Sequence, residues 1–466
     1  MNKTTPALAL VLLATVVPAC SSTAVRPSPQ ALITQEQAAL DAPDAWAFGP
    51  ETDGEVAATW AGVIHDDTLL ALMREALAAN PSLRASAESV RRSEAFLRQS
   101  RSGLLPSVSA GAGASGSSDF EDFDLAERYN ASLEASWEAD LWGAIRSDIL
   151  ASEFDLQSAR AVYRASRESI AASVARAYAV AIDAGHQVDL SHATFAAQVE
   201  TLRIVNVRYD LGAADRREQV LAESDVASAR DSLELALASQ RSAIRGLEVL
   251  LGRYPAGTMT VPDALPQIDD IVFAGRPADL LRRRPDILSA EADVRSAFAS
   301  TEAVRSGRWP SLSLSGGVSS ATDSLGDVLD PAALALSLGI RLADTLFDGG
   351  LTDARIDAAE ASGRIALANY GASVLDAYAD VEGRLDDVAT LRNRAGFVET
   401  AAENARETLQ LAEIQYKEGA IDLLDVLTFR QRSFQADRTL LALRRAETES
   451  RITLYLALGG ALDAQE

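Results

Sequence analysis

The feature that most constrains this chain is that its sequence runs twice. Asn80-Pro81 returns as Arg284-Pro285. At the same offset of 204, Val90 matches Val294 and Arg101-Ser102-Gly103 matches Arg305-Ser306-Gly307. Pro106-Ser107 likewise matches Pro310-Ser311, and Asp140 matches Asp344. Further along the offset reads 200, where Ala177-Tyr178-Ala179 matches Ala377-Tyr378-Ala379. It then becomes 207, where Tyr209 matches Tyr416, Gly212-Ala213 matches Gly419-Ala420 and Leu251-Gly252 matches Leu458-Gly459. The step from 200 to 207 is one heptad, which a coiled helix absorbs without changing its packed face. The two copies span residues 66–254 and 276–460, and the linker 255–275 is rich in Pro and Gly, as a junction should be.

Each copy has the same internal order: a helix, a proline, two short strands, then a very long helical stretch broken once by Gly. In the first copy, Tyr129, Ala131, Leu133, Ala135, Trp137 and Ala139 alternate with Asn130, Ser132, Glu134, Ser136 and Glu138. In the second, Leu334, Leu336, Leu338, Ile340 and Leu342 alternate with Ala335, Ser337, Gly339 and Arg341. Their partners alternate more weakly, through Val108, Ala110, Ala112 and Ala114 and through Leu312, Leu314, Gly316 and Val318. Strands with one apolar and one polar face suit a tilted membrane barrel, and they suit a half-buried soluble sheet as well. The helices read as coiled coil. Val388, Leu391, Ala395, Val398, Ala402, Ala405, Leu409, Ala412 and Tyr416 keep a 3,4 rhythm, and Ile170, Val174, Ala177, Ala181, Ala184 and Val188 follow it in the first copy.

The chain's start favours the membrane. Lys3 precedes an apolar run over residues 6–17 that is too short to span a bilayer and fits a secretory signal. Val17-Pro18-Ala19-Cys20-Ser21-Ser22 then resembles a bacterial lipoprotein cleavage site, with a plain signal peptide and an incidental Cys as the alternative. Residues 1–19 are read as a lipoprotein signal peptide, 20–65 as an N-terminal segment lipid-anchored (palmitate-type) at Cys20, and 461–466 as a tail. Cys20 is the only Cys, so no internal disulfide forms. A formal charge of −24 argues against nucleic acid as a partner. His65, His186 and His192 show no metal-ligand spacing, and no cofactor or metal is expected. No mature stretch approaches the roughly 18 apolar residues of a membrane helix, so a membrane span here must be a closed β-barrel. Two copies give four strands, too few to close one. Three chains would give about twelve.

With these residues in hand, the chain is similar to the TolC-type outer-membrane efflux proteins, of the NodT-like or OprM-like lipoprotein branch. Leu281-Arg282-Arg283-Arg284-Pro285-Asp286-Ile287 with Ala290-Glu291-Ala292 resembles the signature that opens that branch's second repeat. Glu138-Ala139-Asp140-Leu141-Trp142-Gly143 and Leu346-Phe347-Asp348-Gly349-Gly350 resemble its two strand-to-helix turns, so Trp142, Gly143, Gly349 and Gly350 are expected to bend the chain there. The fold implied is mixed: a homotrimer with a twelve-stranded membrane β-barrel and an α-helical coiled-coil barrel of twelve helices in the periplasm. The function implied is the outer-membrane exit duct of a tripartite export system, a passive conduit rather than an enzyme. The implied partners are outer-membrane lipid, a periplasmic adaptor and an inner-membrane transporter of the RND type. In that family the helix turns farthest from the membrane dock the adaptor. This assigns docking to Leu211, Gly212, Ala213, Gly419, Ala420 and Ile421. Asp422 and Asp425, one helical turn apart, would form acidic gate rings, with Asp422 also readable as an ordinary solvated charge. Ile421 stands where some members carry a basic residue.

Two other classes compete. A structural coiled-coil lipoprotein leaves the strand hairpins unexplained. An enzyme has little support: no G-x-x-x-x-G-K-[ST] loop occurs, and Glu121, Asp122 and Asp124 read as solvated surface between the first two strands.

Overall fold

The computed structural model describes residues 27–49, 59–118, 126–269 and 274–460, and the structural statements below concern these. In chain order come α1 (Pro29–Ala39), α2 (Asp67–Ala79), α3 (Pro81–Ser102), β1 (Ser107–Ser117), β2 (Ala126–Ala139), α4 (Ala144–Asp210) and α5 (Arg216–Leu250). The second copy follows with α6 (Leu280–Arg283), α7 (Pro285–Ser306), β3 (Ser311–Thr322), β4 (Leu334–Ala343), α8 (Leu351–Lys417) and α9 (Leu423–Ala457).

Local chemistry sets the breaks. Pro81 and Pro285 disfavour helical backbone at the residue before them, so α2 ends at Ala79, α6 ends at Arg283 and new helices open on the prolines. The helices α4 and α8 each have 67 residues, about 100 Å of rod, and α5 and α9 each have 35. Gly212, Gly252, Gly419 and Gly459 follow the four helix ends in left-handed backbone.

Element bounds correct the repeat arithmetic. The helices α3 and α7 are offset by 204, whereas both bounds of α4 and α8, and of α5 and α9, are offset by 207. Three residues are therefore gained between the start of the strands and the start of the long helices, and the match at 200 is a heptad slip. In the true register Tyr178 stands where Leu385 stands, and both are buried. A seven-residue repeat presents the same face after a slip of seven, so sequence similarity alone cannot separate the two registers.

Hydrogen bonds such as Ser100–Ser152 and Ser158–Ser289 lay α3 and α7 on the first part of α4, while α5 and α9 pack on its later part. The main contacts order the helices α3-α4-α7-α8 near the sheet and α5-α4-α9-α8 farther away. The sheet runs β1-β2-β3-β4, antiparallel throughout. One lateral edge of the molecule thus belongs to the first copy (β1, α3, α5), and the other to the second (β4, α8). The main core lies at mid-length of the long helices, where Trp60, Tyr178, Tyr370 and Tyr455 are fully buried. A smaller cluster of Val205, Ala222, Tyr416, Leu423 and Val426 closes the far end.

Candidate functional site

The strand registers align side chains into two faces. Ala110 faces Leu133, Leu133 faces Val318, and Val318 faces Leu336. Residues two apart share a face, so this row extends into one apolar side: Val108, Ala112, Ala131, Ala135, Leu314, Leu338 and Ile340. The other side carries Ser109, Gly111, Ser132, Glu134, Ser136, Ser315, Gly317, Ser337 and Gly339. The sequence left open whether helices cover the apolar side. They do not: Leu336 is 74% exposed, Leu338 83% and Ile340 77%. A contiguous bare apolar face of this size marks a membrane or partner surface. Among the described residues no helix is long and apolar enough to cross a membrane.

The sheet's helical end carries an aromatic girdle of the kind seen at a membrane interface. Trp142 stacks on Trp309 at 5.4 Å and donates to the Pro310 carbonyl, and Trp137 donates to the Leu104 carbonyl. The predicted turn residues sit here. Gly143 (φ +81) and Gly350 (φ +89) hold left-handed backbone directly before α4 and α8, with Gly349 (φ +68) beside Gly350. Asp140 accepts from the Ile145 and Arg146 amides and from the Arg146 guanidinium. Burial pushes its carboxyl up, but these donors outweigh burial and hold it below the usual carboxylate range. The counterpart in the second copy is Asp348, not Asp344. It accepts from the Thr352 hydroxyl and from the amides of Gly350, Leu351 and Thr352, and its carboxyl is likewise held low.

At the opposite end the two helix turns lie beside one another around the small core. Ala213 donates to Arg208 and Ala420 to Gln415, closing the turns over Gly212 (φ +74) and Gly419 (φ +78). Leu211, Gly212, Ala213, Gly419 and Ala420 are exposed. Ile421 is half-buried against the tip core. Asp422 and Asp425 are both exposed, but they differ in role. Asp422 is the N-cap of α9, accepting from the Asp425 amide, as Asp215 caps α5 through the Glu218 amide. The Asp425 side chain is free of that duty. Cys20 and the loop acids Glu121, Asp122 and Asp124 lie outside the described residues.

The family model described as outer membrane efflux protein matches residues 72–253 and 277–460. The chain belongs to the outer membrane efflux protein family. It is similar to the pyoverdine export outer membrane protein OpmQ of Pseudomonas aeruginosa, 28% identical over 97% of this chain and 96% of that one. The outer membrane protein OprJ of the same species is 27% identical over 92% of each chain. Among solved structures, the open state of the Neisseria gonorrhoeae MtrE outer membrane channel superposes with a TM-score of 0.81 at 26% identity, covering 92% of this chain and 98% of that one. Members of the family are channels and not enzymes, working with an adaptor and an inner-membrane pump. This chain is an outer-membrane efflux channel, its strands in the membrane and its helices in the periplasm.

One tip residue of this efflux protein escaped the sequence reading. Arg430 is buried, donating to Thr201 and Gln198 on α4 and to Glu413 on α8. It ties three helices together two turns into α9. A signal was present: Leu423, Val426, Arg430 and Ser433 keep the 3,4 rhythm of a packed seam. A charge on such a seam needs a buried partner. Arg208 adds a second tie, stacking over the Tyr416 ring at 4.6 Å to join α4 to α8.

Proposed function

We propose that three copies close the channel, and that it opens at the helical tips when an adaptor docks there. The observation that carries this reading is the pair of open edges. The strands β1 and β4 each have one side unpaired by the chain's own sheet. In lipid an unsatisfied backbone group costs several kcal/mol, so an edge of ten or more residues is prohibitive for a chain alone. The unlike edges, β1-α3-α5 and β4-α8, make a head-to-tail contact that closes as a ring. Twelve strands about 4.8 Å apart and tilted about 40° enclose a radius of about 12 Å. The Ser- and Gly-rich face then lines the lumen and the apolar face meets lipid.

In this assembly Asp425 forms a ring of three carboxylates at the narrow end, which favours cations. Cys20 carries the lipid that holds the N-terminal segment at the membrane, and an adaptor couples the tips to an inner-membrane transporter of the RND type. In planar bilayers Asp425→Ala raises single-channel conductance. Unchanged conductance removes Asp425 from the gate. An SDS-resistant oligomer of trimer mass supports the shared barrel, and a monomer with the same β content refutes it.

A further inference from the structure

The helices α8 and α9 treat charge differently on their two flanks. On one flank Glu399, Arg406 and Glu413 stand a heptad apart on α8. They pair in turn with Arg444, Asp437 and Arg430, a heptad apart on α9, at 3.7, 2.6 and 2.6 Å. Every charge of that ladder meets its opposite.

The other flank breaks the pattern. From Thr428 to Thr439 the exposed residues of α9 are Thr428, Gln431, Arg432, Gln435, Arg438 and Thr439, with two guanidiniums and no acid. All of these except Arg438, together with Ala436 and with Val398 and Ala401 of α8, line a groove of about 560 Å³. Arg432 lies over the Phe429 ring at 5.8 Å and Arg438 over the Phe434 ring at 5.7 Å. Each ring steadies its guanidinium and leaves the N–H donors open. Neither arginine pairs with an acid among the described residues. In a chain of formal charge −24 acids are plentiful, so their absence here sets the groove apart.

Position decides what reaches the groove. Within the chain α9 has α4 on one side and α8 on the other, so the groove lies away from the β1-α3-α5 edge and on the inner side of α8. Asp425, Arg432 and Thr439 are spaced by one heptad and share one stripe of α9. The groove therefore opens to the same side as Asp425, about 10 Å farther from the tip. With Asp425 in its lumen ring, three such grooves line the lumen on the exit side of that ring.

We propose that this groove is a cargo-binding site for small organic anions bearing a carboxylate or sulfonate, with Arg432 as the residue that selects them. The proposal rests on the reading of Asp425 as a lumen residue. The Arg432 fork takes the anion's oxygens in paired hydrogen bonds, and Arg438 adds positive charge at the rim. Gln431 and Gln435 meet the cargo's other polar groups, and Val398 and Ala401 meet its carbon skeleton. A molecule that has passed the opened tip is held here, and the acidic ring behind it opposes its return once the tip closes.

The test compares two dyes of one ring system, the anion fluorescein and the cation tetramethylrhodamine methyl ester. Their binding to the full-length protein, purified in detergent, is followed by fluorescence anisotropy. Fluorescein is expected to bind about tenfold more tightly. R432Q/R438Q lowers fluorescein affinity by about tenfold, the loss of one charge-assisted anchor, and R444Q, on the paired flank, leaves it within about twofold. Equal binding of the two dyes, or unchanged fluorescein binding in R432Q/R438Q, overturns the site. Planar bilayers check the lumen: R432Q/R438Q shifts the reversal potential in a salt gradient toward cation selectivity. An unshifted reversal potential puts the arginines outside the conduit and overturns the proposal while the channel stands. A purified chain that forms no conducting channel refutes the shared barrel, and the cargo site with it.

Discussion

Asn80 and Arg284 occupy the same place in the two copies, before the proline that opens α3 or α7. Each reaches the last turn of its copy's return helix: Asn80 donates to the Leu250 carbonyl and Arg284 to the Ala457 carbonyl, residues offset by 207. There the likeness ends. The Asn80 side-chain oxygen turns back and accepts from the Ser82 and Leu83 amides as a neutral N-cap. Arg284 is largely buried and pairs with both Asp286 and Asp380, the second of them on α8. Burial disfavours its charge, and the two carboxylates more than offset that. The physical difference is position. Within the chain α4 has neighbours on both sides, whereas α8 forms an outer edge and is held from one side only. The second copy therefore adds a charged tie to its edge helix.

The strand-to-helix turns differ in the same sense. The first is partly sheltered: Trp142 stacks on Trp309, Asp140 pairs with Arg146, and Leu141 and Trp142 are 53% and 50% exposed. The second leaves Leu346 92% and Phe347 90% exposed, on the β4-α8 edge that a neighbouring subunit covers in the proposed ring.

The largest effect should come from breaking the charged tie. Arg284→Ala removes a largely buried partner from Asp380, which keeps Arg384, and is expected to cost about 2–3 kcal/mol. Asn80→Ala, which removes a neutral cap, should cost only about 1 kcal/mol. Denaturant unfolding of the purified protein, followed by helical circular dichroism, compares them. Equal losses would mean that charge is not what separates the copies.

A second contrast sets the tips against the end of α5 at the main core. A Cβ on Gly212 or Gly419 would meet nothing within 4 Å, so alanine at either costs only the left-handed backbone, about 1–2 kcal/mol in both copies. On Gly252 the Cβ would lie 2.8 Å from the Ala79 carbonyl oxygen, so Gly252→Ala should cost more than either tip variant. A tip glycine as sensitive as Gly252 would show that the tips contact something absent from the single chain.

The smallest effect concerns pH. Asp140 and Asp348 both titrate below the usual carboxylate range. Their contribution is therefore fully present above the unfolded value of about 3.9, and it is lost as pH falls through the lower folded values. Asp140→Asn should flatten the acid side of the stability profile more than Asp348→Asn, because only Asp140 has a guanidinium partner. The reverse order in an acid titration of the unfolding midpoint would reject that account.

Much of this molecule was determined locally. The prolines opening α3 and α7, the glycines ending the long helices, the 3,4 seams and the period-two strands all act through their own or adjacent backbone, so the residues specify them directly. The duplication, the shared barrel and the hinge glycines follow from the same signals. What the tertiary structure decided is whatever sequence periodicity leaves degenerate. A heptad is unchanged by a slip of seven, so only the equal lengths of α4 and α8 showed that the offset of 207, read from the sequence at their far ends, holds along the whole helices. An alternating strand does not say what covers each face, so only the packing showed the apolar side to be bare. Two of the partners of Arg430, Thr201 and Gln198, lie more than 200 residues away on α4, and the third, Glu413, lies on α8. A seam position announces that such a charge is buried, and only the folded chain supplies what it meets.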